Sequence, residues 1–431
     1  MGFEFKTKLG LSGAVSVTIG GVIGVGIFVI VGPMGAKSGG WLPVAILVAA
    51  LPAIFGTIVS AALGSTIPAD GGAYQYSRKL MNRAFGAAAS ICVILGAFGA
   101  MGIVAVGVAD YLRIYFPGLP RMVVAMGIVI FVFAINRAGV LATAWLQILL
   151  VAQLISALLV LVVAGIVNGG TPDFAAGLPS GVPGFSEAAI MAALCYTGFN
   201  IIGELGDEIK DPRRNIPLTI IIGLSIIAIF YVGMGWIVSG NLSLSEMQTS
   251  KVAAVDTALR VLPAWFVHYI NIAALGAAAT SINAAFLAIP REFVALAGDG
   301  FLPKRFLAFN RKSQTFTFAL LVVLAIGLAL VALDRPIAEY SIMAVVGLYL
   351  ANGVISVGCL MLFRRFPDKV ASSPLSLKPG WLKPCSVISA IFSVGFGIMG
   401  MYFEPIVAAV FIIVGGLMGV HIYRVHRKAR S

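Results

Sequence analysis

Runs of about 20 apolar residues recur along the whole chain, and they restrict its fold more than any other feature. A helix of that length covers a hydrocarbon layer of about 30 Å. No water is present in such a layer to satisfy backbone N–H and C=O groups, so only helices and closed barrels cross it. The runs are continuous rather than alternating, which excludes a barrel. Only 11% of the 431 residues are charged and 60% are hydrophobic, too little charge to cover a soluble protein of this length. The expected fold class is an all-α membrane protein.

Twelve spans are expected, at 11–35, 42–65, 86–115, 122–136, 142–167, 187–206, 217–240, 268–296, 316–333, 338–363, 386–403 and 405–424. An even number puts both termini on one side. Of the 29 basic residues, 23 fall on that side and 6 on the other. Lysine and arginine mark the cytoplasmic face, so both termini are expected there, in the cytoplasmic membrane. The net charge of +12 therefore records orientation, and the expected surroundings are a lipid bilayer with no nucleic-acid partner. The segment before the first run carries Glu4, Lys6 and Lys8 and no small-residue cleavage site, so that run is expected to be a span and not a removed signal. Cys92, Cys195, Cys359 and Cys385 have neither disulfide nor metal spacing. The longest polar segments, 241–266 and 364–385, read as loops.

Two spans are unfit to be continuous helices. In the first, Gly20, Gly21, Gly24 and Gly26 fall within seven residues, each costing about 1 kcal/mol of helix stability relative to alanine. The sixth combines Gly198, Asn200, Gly203, Glu204 and Gly206. Paired glycine-interrupted spans in corresponding positions of two halves are the sequence mark of a transporter binding site. Unwound backbone frees N–H and C=O groups, and half-helix N-termini present positive dipole ends. An amino acid's carboxylate can take the N–H groups and its ammonium the carbonyls, without any charged side chain.

Four motifs in order resemble the amino acid–polyamine–organocation (APC) superfamily. They are Gly24-Val25-Gly26-Ile27-Phe28; Pro68-Ala69-Asp70-Gly71-Gly72-Ala73-Tyr74-Gln75-Tyr76; Tyr196-Thr197-Gly198-Phe199-Asn200 with Asp207-Glu208-Ile209-Lys210-Asp211-Pro212-Arg213-Arg214-Asn215-Ile216-Pro217; and Arg291 with Ala297-Gly298-Asp299-Gly300-Phe301-Leu302-Pro303. The resemblance covers spans 1 to 8. It implies the LeuT fold, in which two inverted five-helix repeats (1–167 and 187–363) are followed by two C-terminal helices (386–431). It implies an amino acid permease that works by alternating access, with the substrate carboxylate at the N–H groups of Gly24, Val25 and Gly26. The α-amino group would then meet carbonyls near Ile23, Thr197 and Gly198, with Tyr196 and Phe199 as gating aromatics.

Several positions depart from the family. Val25 replaces a frequent serine or threonine, and Asn200 replaces the acid of many proton-linked members. With no anion at the expected pocket, a neutral amino acid is expected rather than arginine or a polyamine. The fifth span has Gln153-Leu154 where several relatives carry lysine. In the eighth, Ala277, Thr280 and Ser281 resemble the hydroxyl pair of sodium-coupled members, with Gly20 and Ile23 as the matching first-span positions; hard oxygen ligands suit Na⁺. Glu204 is the alternative coupling candidate, carrying H⁺. Asp70, Arg78, Asp207, Arg291 and Asp299 are candidates for an inner gate, while Asp110, Glu187 and Glu339 fall near span ends. No cofactor is expected beyond a coupling ion.

An enzyme is not expected, because no paired acids, nucleophile–base set or metal cluster lies inside the runs. His268, His421 and His426 sit singly at run ends. A cation or polyamine transporter of the same superfamily and a non-transporting amino acid sensor remain as alternatives. The oligomeric state is left open.

Overall fold

The computed structural model describes residues 10–24, 26–67, 72–138, 144–198, 209–310, 315–373, 375 and 377–428. Its elements are α1 (Leu11–Val22), α2 (Gly26–Ser38), α3 (Leu42–Thr66), α4 (Gly72–Leu80), α5 (Arg83–Leu112), α6 (Arg121–Ala138), α7 (Ala144–Asn168) and α8 (Gly181–Ala193). They continue as α9 (Pro212–Asn241), α10 (Leu244–Thr249), α11 (Ala253–Val261), α12 (Ala264–Gly298), α13 (Thr317–Ala332) and α14 (Ile337–Cys359). The last four are α15 (Leu362–Arg365), α16 (Pro367–Ala371), α17 (Pro379–Phe403) and α18 (Pro405–Lys428). Among the described residues the one β-type pairing is an isolated bridge between Asn310 and Thr315.

Among the described residues the apolar runs lie on helices, with the first divided between α1 and α2 and the sixth helical as far as Tyr196. Among the described residues six stretches are long and apolar enough to cross a bilayer: 26–66, Arg83–Leu112, Arg213–Asn241, Ile337–Cys359, Pro379–Phe403 and Pro405–Ile422. Ala152–Asn168, Ala264–Ala278 and Thr317–Ala332 are apolar but shorter. Several helices outrun the apolar runs they carry. α8 starts at Gly181 rather than 187, and α17 at Pro379 rather than 386. Pro379 in the first turn of α17 has its φ set for a helix and no N–H to leave unsatisfied there. Apolarity marks the depth that is buried, not where the helical hydrogen bonds stop. For the same reason the polar segments read as loops contain helices: α10 and α11 in the first, α15 and α16 in the second. α10 begins with a capping box, in which Ser243 and Glu246 each bond the other's backbone N–H.

The bundle is built around α5, which packs against α12 and α14. Its partners recur in a pattern. α3 packs on α8 and α1 on α9; α7 packs on α12 and α14 on α5; α6 packs on α13. Counted by spans, a shift of five turns the α3–α8 pair into α9–α1 and the α7–α12 pair into α14–α5. Large apolar side chains such as Ile412, Leu417, Tyr402 and Ile391 lie exposed on the outer helices. Water does not tolerate so extended an apolar surface on a monomer, whereas lipid does.

Small residues set the closest contacts. A Cβ on Gly347 of α14 would lie 2.4 Å from both Cys92 O and Gly96 N of α5. The two backbones touch there, as lipid-embedded helices can when glycines face each other. Gly415 of α18 has nothing within 4 Å of such a Cβ. Gly347→Ala should therefore destabilise the protein by about 1–3 kcal/mol through overpacking, and Gly415→Ala should not. Thermal unfolding of the purified variants reads the difference, and equal melting temperatures would contradict the α5–α14 contact.

Candidate functional site

α1 stops at Val22. Ile23 N–H still bonds Ile19 O, but Ile23 turns to an extended ψ of 100° and Gly24 is not helical. The helix resumes as α2 at Gly26. α8 tightens into a 3-10 turn at Leu194–Tyr196 and then ends, with Thr197 extended (ψ 155°) and Gly198 at φ +105°. That φ lies in the region that favours glycine. The two expected interruptions are thus real departures from helical backbone.

Each interruption leaves carbonyls without an intrahelical partner. Side chains from other helices supply donors. Tyr231 of α9 donates its hydroxyl to Val22 O (3.2 Å), and Tyr349 of α14 donates to Ala193 O (3.1 Å). Tyr111 of α5 donates to Phe28 O in the first turn of α2 (3.1 Å). Thr197 closes its own turn, its backbone N–H and its hydroxyl both reaching Leu194 O at 3.0 and 2.8 Å. The three tyrosines were not foreseen from the sequence. Their carbonyl partners are 83 to 209 residues away, so no local pattern signals them.

The interruptions face each other and the eighth span. A Cβ on Gly26 would lie 3.9 Å from Cys195 Sγ, and one on Gly24 would lie 2.8 Å from Ser281 Oγ on α12. Tyr196 packs edge-on against Tyr231 with ring centroids 5.4 Å apart. Its buried hydroxyl has no hydrogen-bond partner among the described residues. The ionisable side chains on α2 and α8 are Lys37, in the last turn of α2, and Glu187, midway along α8; these pair with each other (2.8 Å), away from the interruptions. What the described interruptions offer is therefore neutral: backbone groups, hydroxyls and aromatic rings.

Of the expected substrate contacts, Ile23, Gly24, Gly26, Tyr196, Thr197 and Gly198 come together here. Val25, Phe199 and Asn200 lie outside the described residues, as does Glu204. Of the Na⁺ set, Gly20 is in the last turns of α1 and Ile23 follows its end, while Ala277, Thr280 and Ser281 are in α12. Ser281 donates its hydroxyl to Ala277 O at 2.9 Å, as serines in helices commonly do. Its oxygen keeps lone pairs that a cation could use. On the fifth span, Leu154 is buried. Of the inner-gate candidates, Arg78 Nε meets Asp299 Oδ2 at 2.9 Å. Arg291 is exposed, and Asp70 and Asp207 lie outside the described residues. The span-end acids are paired: Asp110 with Arg121 (2.7 Å), Glu187 with Lys37 and Glu339 with Arg335 (2.7 Å).

Known proteins are similar to this chain in sequence. Residues 9–420 match the amino acid permease family. The chain is 31% identical over 332 residues to an uncharacterized transporter of Mycobacterium tuberculosis (strain ATCC 25618 / H37Rv), covering 76% of this chain and 74% of the relative. It is 26% identical over 400 residues to the vacuolar cationic amino acid transporter 4 of Arabidopsis thaliana, covering 86% and 66%. It is 25% identical over 303 residues to the inner membrane transport protein YbaT of Escherichia coli (strain K12), covering 69% and 70%.

The Gly24–Ser281 contact is open to a double-mutant test. Gly24→Ala should push the Ser281 hydroxyl off the Ala277 carbonyl and cost about 1 kcal/mol. Ser281→Ala removes the obstructing oxygen, so the double variant should be as stable as Ser281→Ala alone. Additive losses in thermal unfolding would mean that the two residues do not touch.

Proposed function

The chain belongs to the amino acid permease family of the APC superfamily, and from that premise we propose that it carries a neutral amino acid across the cytoplasmic membrane by alternating access. It is an integral membrane protein, a transporter of that family. In the proposed topology twelve spans place both termini in the cytoplasm, with inverted repeats at 1–167 and 187–363 and two further helices within 386–431. The packing pairs that recur at a shift of five spans support this arrangement.

One observation carries the reading: the two helix interruptions lie against each other, Gly26 beside Cys195, where a small zwitterion would find backbone groups of both signs. The substrate carboxylate is assigned to the N–H groups of Gly24, Val25 and Gly26, and the ammonium to carbonyls of Ile23, Thr197 and Gly198. Tyr196 and Phe199 are assigned as gating rings, with Asn200 beside them. A neutral side chain suits the absence of a free charge at the described interruptions. The coupling ion is assigned either as Na⁺ at Gly20, Ile23, Ala277, Thr280 and Ser281 or as H⁺ on Glu204. A second reading, a cationic amino acid as substrate, is favoured by the similarity to the Arabidopsis cationic amino acid transporter.

The experiment is thermal stabilisation of the purified protein by a panel of neutral, cationic and anionic amino acids, each in sodium and in potassium. A ligand at 100 times its Kd stabilises by about 2.7 kcal/mol. Stabilisation by neutral amino acids is expected, and a sodium requirement would assign Ser281 and its neighbours as ligands. Stabilisation by arginine or lysine alone would select the second reading, and no stabilisation by any amino acid would overturn both.

A further inference from the structure

The short helix α4, between α3 and α5, lies across the ends of α5, α12 and α14. These same three helices reach the interruptions, through Tyr111, Ser281 and Tyr349 respectively. Two carboxylates of the α12 end face α4. Glu292 is buried, accepts a hydrogen bond from Ser90 Oγ of α5 (2.6 Å), and points its other oxygen at the start of α4. A Cβ on Gly72, the first residue of α4, would lie 3.3 Å from Glu292 Oε1. Asp299, just past the end of α12, accepts from the Tyr74 hydroxyl and pairs with Arg78 Nε (2.9 Å) and, more loosely, with Arg83 Nε (3.6 Å).

The spacing is matched. Seven residues separate the two acids, about 10 Å along α12, and six separate Gly72 from Arg78, about 9 Å along α4. The signs are matched as well, with one carboxylate at the positive N-terminus of α4 and the other beside its basic last turn, Arg78-Lys79. Burial, and then the Asp299 carboxylate, push the Tyr74 hydroxyl well above its usual range, so it stays a donor. α4 is also seated by shape. A Cβ on Gly86 of α5 would lie 3.0 Å from Tyr74 O, and one on Gly358 of α14 would lie 3.2 Å from Leu80 Cβ. Arg365 donates to Lys79 O (3.3 Å).

We propose that Glu292 and Asp299 are positioning residues for transport: as a two-point clamp they hold α4 as a brace that fixes the spacing of α5, α12 and α14 at the end remote from the outer ion pairs. The brace lies about 16 Å along α12 from the Gly24–Ser281 contact, judged by the eleven residues from Ser281 to Glu292. It acts on the substrate only through the helices it spaces. The proposal rests on the transport reading for its purpose but not for its test.

Cys359, next to Gly358 under α4, is buried and is a native reporter. Labelling by a membrane-permeant maleimide, resolved by peptide mass spectrometry, would compare Cys359 with Cys195 in the full-length protein. Asp299→Asn and Glu292→Ala should each speed labelling at Cys359 by about tenfold while leaving Cys195 unchanged, as a local opening does. Asp299→Glu, which keeps the charge, should restore the slow rate. Unchanged labelling of Cys359 in both variants, or equal acceleration at Cys359 and Cys195, would overturn the clamp. No substrate enters this measurement, so its failure leaves the permease reading standing, and a failed amino acid panel leaves the clamp standing.

Discussion

In a water-free layer every backbone N–H and C=O must find a partner inside the protein, and the rest of this structure depends on that requirement. Continuous helices meet it by themselves. The interruptions at Ile23–Gly24 and Thr197–Gly198 do not, and they persist because other helices contribute donors. Tyr231 at Val22 O and Tyr349 at Ala193 O are such donors. Leaving a buried carbonyl without any partner costs about 1–3 kcal/mol, so each tyrosine ties the geometry of an interruption to the placement of a distant helix. A binding site made of backbone is thereby held by the bundle as a whole.

The same economy of polar groups shapes the packing. With lipid as apolar as the side chains, helix association relies on close contact rather than on exclusion from water. The α5–α14 crossing at Gly96 and Gly347 brings backbones together, and Gly24 lets α12 approach the first interruption at Ser281. Among the described residues several charges are paired: Arg121 with Asp110 and Asp334, Lys37 with Glu187, Arg78 with Asp299. Glu404, between α17 and α18, is held above its usual range by burial and then by the nearby Glu339 and Glu187 carboxylates. Acidic groups thus gather at this end of the molecule, while α4 brings basic ones to the other.

Much of this was legible in the sequence for physical reasons. Long apolar runs can only be helices in lipid, and four glycines between Gly20 and Gly26 cannot support one unbroken helix. The described breaks, at Ile23–Gly24 and Thr197–Gly198, fall within the glycine-interrupted segments singled out in the sequence. Other features were hidden. Nothing local distinguishes Gly347, which touches another backbone, from Gly415, which touches nothing. Tyr111, Tyr231 and Tyr349 look like ordinary apolar-run aromatics until their hydroxyls are placed. Glu292 sits beside Arg291 near the end of a run, and nothing local shows that it is buried against Ser90. The starts of α8 and α17 were set too late because hydropathy follows depth and not hydrogen bonding.

The central claim is that the two interruptions face each other and form one site. Gly26→Cys would place a thiol opposite native Cys195, with the new Cβ 3.9 Å from Cys195 Sγ, a separation that needs only small adjustment for a disulfide. Oxidation of this variant, followed by peptide mapping and an amino acid binding assay, tests the claim directly. Facing interruptions predict a disulfide between positions 26 and 195 and loss of amino acid binding that returns on reduction. Failure to cross-link in the folded protein, or binding undiminished by a complete cross-link, would contradict it.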